Sequence, residues 1–168
     1  MATDLYVGHL NICHLENKVP DLCVLLQRPT PFHLFGVTES WLRSDIHNVN
    51  IEIPEFSILR RDPSRPHQTG IAVYLHDSIA PFTRRRLDLE SDKVESLWVE
   101  IKTNKSAPVL VSIIYRHKTS TFEWYDEFAP IKKGVVLNVD LSHNFLLLLQ
   151  WLILNQWHPK VLQYIDII

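Results

Sequence analysis

Hydrophobic and polar positions alternate most regularly in VESLWVEIK (residues 94–102), where Leu97, Val99 and Ile101 interleave with Trp98 and Glu100. That period of two predicts a half-buried strand. PVLVSIIYR (108–116) is nearly all apolar and β-branched, which predicts a central strand covered on both faces. LYVGHLNI (5–12), FHLFGVT (32–38), FSILRRD (56–62) and GIAVYLHD (70–77) are further strand candidates.

Helical signals are fewer. Pro20 suits a first helical turn and Asp21 beside it favours the helix dipole, so a short helix is expected from Pro20 to Gln27, ended by RPTP. Ser120 or Thr121 caps a second, with Phe122, Tyr125 and Phe128 as its stripe and Pro130 as its end. GVVLNVDL (134–141) reads as a strand, 142–157 as a helix and VLQYIDII (161–168) as a terminal strand. FLLLLQWLIL (145–154) is the most apolar window. It is too short to span a bilayer, so a buried helix is expected there and no membrane partner. Strands with sparse, late helices predict an α/β sandwich over a strictly alternating doubly wound sheet.

Composition narrows the class. The 168 residues are 46% hydrophobic and 21% charged, as in a globular chain, and no repeat or long linker divides them. A single domain over 1–168 is expected. The formal charge of −2 provides no global basic field, so any polyanion must be met by local patches. LRRDPSRPH (59–67) supplies one, through Arg60, Arg61 and Arg65. TRRRLDLESDK (83–93) turns acidic within a few residues and reads as solvated surface. Cys13 and Cys23 form no C-x-x-C pair and no secretory signal is seen, so two free thiols in an intracellular protein, nuclear or cytoplasmic, are expected. A zinc site from Cys13, His14, Cys23 and His33 fits no standard finger spacing.

FHLFGVTESWLRSD (32–45) poses the chemical question, because Glu39 stands where an apolar run ends. A carboxylate is costly inside a strand, but at a strand exit it can face a cleft and hold a metal. Taken alone, Glu39 could equally open a helix, Asn11 could be a strand-end residue, and Tyr115 a core aromatic with a bonded hydroxyl.

Taken in order, LNICHLENKVPDL (10–22), FGVTESWLRSDI (35–46), FSILRRD (56–62), GIAVYLHDSI (70–79), ESLWVEIK (95–102) and IIYRHKTS (113–120) resemble the endonuclease domain of LINE-type, non-long-terminal-repeat retrotransposons. That domain belongs to the endonuclease/exonuclease/phosphatase superfamily. The resemblance covers about residues 5–128, and 129–168 diverge. It implies a two-sheet α/β sandwich of the DNase I-like type, incomplete at the C-terminus, that nicks DNA by Mg²⁺-dependent phosphodiester hydrolysis without a small-molecule cofactor. Asn11 and Glu39 match the metal-site asparagine and glutamate, and Tyr115 matches the tyrosine that contacts the phosphate. Arg116 either contacts DNA or flanks the strand.

The family's strand ending in Gly-Asp-x-Asn supplies a general base and a phosphate-holding asparagine. Matching Asn138 to that asparagine places Val136 at the base position, and a valine accepts no proton. Asp140 lies four positions from Val136, roughly 13 Å along an extended strand, beyond reach of the same water. A shifted register makes Asp140 the base but puts Ser142 at the asparagine position. Asp166, in QYIDII, matches the aspartate that orients a catalytic histidine, although the chain ends before the matching Ser-Asp-His element; a solvated strand aspartate is the other reading. The expectation is a degenerate endonuclease domain with weak or absent activity. The alternatives are a non-catalytic nucleic-acid-binding remnant and a gene-model fragment without independent function.

Overall fold

A computed structural model describes residues 5–29, 32–102 and 108–115, and the backbone of Ile165–Ile167. The chain begins with β1 (Leu5–Asn11), a 3-10 turn (Leu15–Lys18), α1 (Val19–Leu26) and β2 (Leu34–Thr38). Because α1 carries the chain back across the sheet, β1 and β2 pair in parallel, with Asn11 opposite Thr38. β3 (Phe56–Arg61) and β4 (Ile71–His76) follow, then β5 (Thr83–Arg85), β6 (Glu95–Ile101), β7 (Val109–Tyr115) and β8 (Ile165–Ile167). One mixed sheet has the order β3-β4-β2-β1-β8, and the other, antiparallel, has the order β5-β6-β7. The six strands expected between residues 5 and 116 and α1 all form, with ends moved by one or two residues, and of the terminal strand expected over 161–168 the described part is Ile165–Ile167.

Two cores result. Phe35, Val37, Ala72 and Tyr74 on one face of the larger sheet pack with Leu15, Leu22 and Leu26 from the helical segment and with Leu42, Ile51 and Ile53. On the other face Val7, Leu34, Ile71 and Val73 meet Leu97, Val99, Val111 and Ile113 of the smaller sheet. Gly36 permits that close stacking, since a Cβ there would collide with the Ile113 side chain.

Three expectations need revision. All seven residues of β6 are buried, including Trp98 and Glu100, so this strand is covered on both faces where alternation predicted one. β7 is buried along its middle as expected, but among the described residues it pairs with β6 alone. The basic run 83–86 contains β5, whose charges are matched locally: Arg84 and Arg86 pair with Glu100, and Arg85 with Glu90. A short, charged edge strand of this kind resists pairing with other chains. The elements expected over 120–130, 134–141 and 142–157, and with them Arg116 and Asn138, lie outside the described residues. No helix among the described residues is long and apolar enough to cross a membrane.

Candidate active site

The ends of β1 and β2 are held together beyond the regular ladder. Ile12, His14 and Leu15 donate their amides to the carbonyls of Thr38, Glu39 and Ser40, at 3.0, 3.0 and 2.9 Å. From the other side, Ser40 and Trp41 donate to the carbonyls of Gly70 and Thr69, at 3.1 and 2.7 Å. Residues 38–41 are thus fixed between two neighbouring segments. Glu39 has a φ of 54°, in the left-handed region. That conformation disfavours a side chain by about 1 kcal/mol or more and persists only where surroundings enforce it. Regular alternation would send Glu39 to the Phe35 and Val37 face. The left-handed step breaks the alternation, and the carboxylate instead meets Asn11 of the larger sheet and Tyr115 of the smaller one. No helix begins within residues 40–47, which removes the reading of a helix-start carboxylate.

Asn11 Nδ2 donates to Glu39 Oε1 at 2.7 Å, and the Tyr115 hydroxyl donates to the same oxygen at 2.8 Å. Three strand ends, from both sheets, therefore converge on one carboxylate. Asn11 is exposed, and Glu39 and Tyr115 are half-buried. Burial pushes the Tyr115 phenol well above its ordinary range, and the hydrogen bond and negative charge of Glu39 push it the same way. Tyr115 accordingly keeps its proton and acts as a donor.

A second carboxylate stands across the ladder from Tyr115. Glu95 opens β6, stands opposite Tyr115 in the ladder and is only 8% exposed. Its Oε1 accepts bonds from the amides of Thr69 (3.0 Å) and Gly70 and from Thr69 Oγ1 (3.3 Å). Burial raises its carboxyl pKa, while these bonds and the charge of Arg61 pull against that rise. Thr69 and Gly70 are the residues whose carbonyls hold Ser40 and Trp41, so Glu95 ties the smaller sheet to the segment carrying Glu39. The sequence reading did not single it out. The available signal was its parity: Glu95 shares a face with Leu97, Val99 and Ile101, where a carboxylate needs a dedicated set of donors.

The arginines of the first basic stretch divide. Arg60 bonds Asp62 through two nitrogens and also reaches the carbonyls of Arg43 and Ile46. Arg61 bonds the carbonyls of Ser91, Val94 and Ser96. Both guanidinium groups serve the protein's own loops. Arg65 is exposed and, among the described residues, its side chain pairs with the exposed Asp92.

Asp166 stands opposite Tyr6, near the start of β1, five residues from Asn11. That is roughly 17 Å along a strand, so the register places the Asp166 backbone at the end of β1 away from Asn11. The candidate zinc ligands do not gather either. His33 accepts the Tyr6 amide at 3.0 Å through Nδ1 and stacks on the Tyr6 ring. Among the described residues, no group of three or more His, Cys, Asp or Glu side chains could hold a metal.

The chain matches neither the known protein-family models nor any curated protein. Among solved structures it is similar to the AP endonuclease LMAP from Leishmania major, with a TM-score of 0.59 and 14% identity over 78% of this chain. The chain spans about half of that enzyme, 47% of its length. Two packed sheets, one mixed and one antiparallel, with few helices, resemble the DNase I-like fold of that AP endonuclease.

Proposed function

We propose that the chain is a metal-dependent DNA endonuclease-like domain, akin to those of LINE-type retrotransposons, with weak phosphodiester hydrolysis. The observation that carries this reading is the convergence of Asn11, Glu39 and Tyr115 on one oxygen at the mouth of two stacked sheets. Similarity to a structure named as an AP endonuclease supports DNA as the substrate.

The donor set fits Mg²⁺ better than zinc. A hard cation that keeps several waters needs one carboxylate and an amide oxygen, whereas a catalytic zinc takes three protein ligands. Both described hydrogen bonds to Glu39 fall on Oε1, which leaves Oε2 to face a cation. Glu39 and Asn11 would hold the ion, and when bound it supplies positive charge to a phosphate on which negative charge develops. The Tyr115 hydroxyl orients the carboxylate and can turn to donate to a phosphate oxygen. Asn138 is assigned the same phosphate by sequence, and Arg65 and Arg116 are assigned flanking phosphates. Activity is weak in this reading because Val136 occupies the base position in the register that Asn138 fixes, and loss of a general base alone lowers rates by about 10²–10⁴-fold.

Nicking of supercoiled plasmid is the test. Slow, Mg²⁺-dependent nicking that disappears in Glu39→Ala is expected. Nicking that survives either EDTA or Glu39→Ala overturns the proposal. The absence of a base gives a second reading, a non-catalytic DNA-binding module. It predicts no nicking but salt-sensitive binding that persists in Glu39→Ala.

A further inference from the structure

We propose that Trp41 and His14 form a stacking platform for a nucleobase beside the Glu39 site. The inference rests on the nucleic-acid reading above and adds to it a subsite for the base next to the phosphate. The two rings are stacked, with centroids 5.5 Å apart and planes 21° from parallel. They come from the two segments that build the site: Trp41 follows Glu39 by two residues, and His14 follows Asn11 by three.

The arrangement is held by the backbone. His14 and Trp41 have φ values of 71° and 51°, an outlying conformation for a residue as bulky as tryptophan. The His14 amide is fixed on the Glu39 carbonyl and the Trp41 amide on the Thr69 carbonyl. These bonds fix where the two side chains leave the backbone. The neighbouring Leu42 is 1% exposed while Trp41 is 41% exposed, so the chain buries the smaller apolar side chain and presents the larger one.

His14 stacks on the indole of Trp41, which is 41% exposed, so part of the ring surface is open to a planar ligand. A nucleobase is the occupant that fits. The carboxylate site two residues away is built for the phosphate of a nucleotide, and base stacking on an aromatic face tolerates any sequence.

The test compares binding of fluorescent oligothymidylate and of an abasic deoxyribose-phosphate strand of equal length, in EDTA and low salt, by anisotropy. The intact protein is expected to bind oligothymidylate about tenfold more tightly than the abasic strand. Trp41→Ala should lose that preference and bind both strands alike, while Trp41→Phe retains part of it. Unchanged melting temperatures establish that the variants are folded. Equal affinity of the intact protein for the two strands, or a preference that survives in a folded Trp41→Ala variant, overturns the platform. Because no cleavage is read, a protein that fails to nick plasmid can still pass this test, and one that nicks can still fail it.

Discussion

The Tyr115 hydroxyl donates to Glu39 Oε1 at 2.8 Å, joining residues 76 positions apart in sequence, one at the end of β7 and the other just past the end of β2 in the opposite sheet. The bond makes the carboxylate's orientation depend on how the two sheets are stacked. Tyr115→Phe removes the donor and leaves the ring, so the fold should hold. In the proposed nuclease, loss of a group that orients a metal ligand reduces metal affinity or activity by about 10–100-fold. The check is the Mg²⁺ dependence of plasmid nicking and calorimetric Mg²⁺ titration. Identical Mg²⁺ dependence in the intact and Phe proteins would remove Tyr115 from the site.

Glu95→Ala should be much more disruptive. It strands the amides of Thr69 and Gly70 and the Thr69 hydroxyl in a buried place, and unsatisfied buried donors cost about 1–3 kcal/mol each, without strict additivity. A loss of about 2–4 kcal/mol in urea denaturation is expected. Glu95→Gln keeps an acceptor oxygen and removes a charge that burial already disfavours, so its loss should be nearer 1 kcal/mol. Equal losses in the two variants would show that the bonds do not matter.

The contrast between these residues explains what could be read from the sequence. Strand positions follow from alternation and apolar runs, because side-chain period and burial are local consequences of the pleat. Glu39 was legible because a carboxylate ending an apolar run has few inexpensive explanations. Glu95 was not, because its donors come from a loop 25–26 residues away and carry no pattern of their own. The same holds for Arg60 and Arg61. Composition marks them as cations, but only the fold reveals that loop carbonyls already occupy their guanidinium groups. The half-buried reading of β6 failed because period two reports one apolar face and cannot see what covers Trp98 on the other.

The stacking distance of the sheets gives a size-swap prediction. Gly36→Ala places a methyl against Ile113, and overpacking of this kind costs about 1–3 kcal/mol. Ile113 lies two residues before Tyr115, so the displacement reaches the site as well as the core. Ile113→Ala alone creates a cavity and should cost about 2–5 kcal/mol. The double variant should be more stable than the sum of the two losses predicts, by 1 kcal/mol or more. Simple additivity in a denaturation cycle would refute the contact.

His9, on β1 with its Nε2 3.3 Å from Thr38 Oγ1, has its pKa lowered by burial from 6.5 to about 4. The unfolded chain takes up a proton at this residue below pH 6.5, whereas the folded chain does so only near pH 4. Folding stability from His9 is therefore complete above pH 6.5 and falls as the pH drops from 6.5 towards 4. Between pH 6.5 and 5 the loss should be about 1.6 kcal/mol, the slope steepening towards about 1.4 kcal/mol per pH unit. His33 is lowered too, by burial and then by His76, so the measurement is the difference between the intact protein and His9→Gln. Parallel stability–pH curves for the two proteins would sink the assignment.

Arg60 and Arg65 share one basic stretch and should separate stability from binding. Arg60 is largely buried and holds Asp62 and two loop carbonyls. Its removal strands a half-buried carboxylate and should destabilise by about 2–3 kcal/mol, with changes in DNA affinity following only from the altered loops. Arg65 and Asp92 are both more than half exposed, and such a pair contributes at most about 1 kcal/mol. Arg65→Ala should leave the denaturation midpoint nearly unchanged. If Arg65 meets a phosphate, the slope of log affinity against log salt should become shallower by about one, equally for all DNA sequences. An unchanged slope would assign Arg65 to the surface alone. A stable Arg60→Ala protein that has lost DNA binding would instead restore Arg60 to the interface.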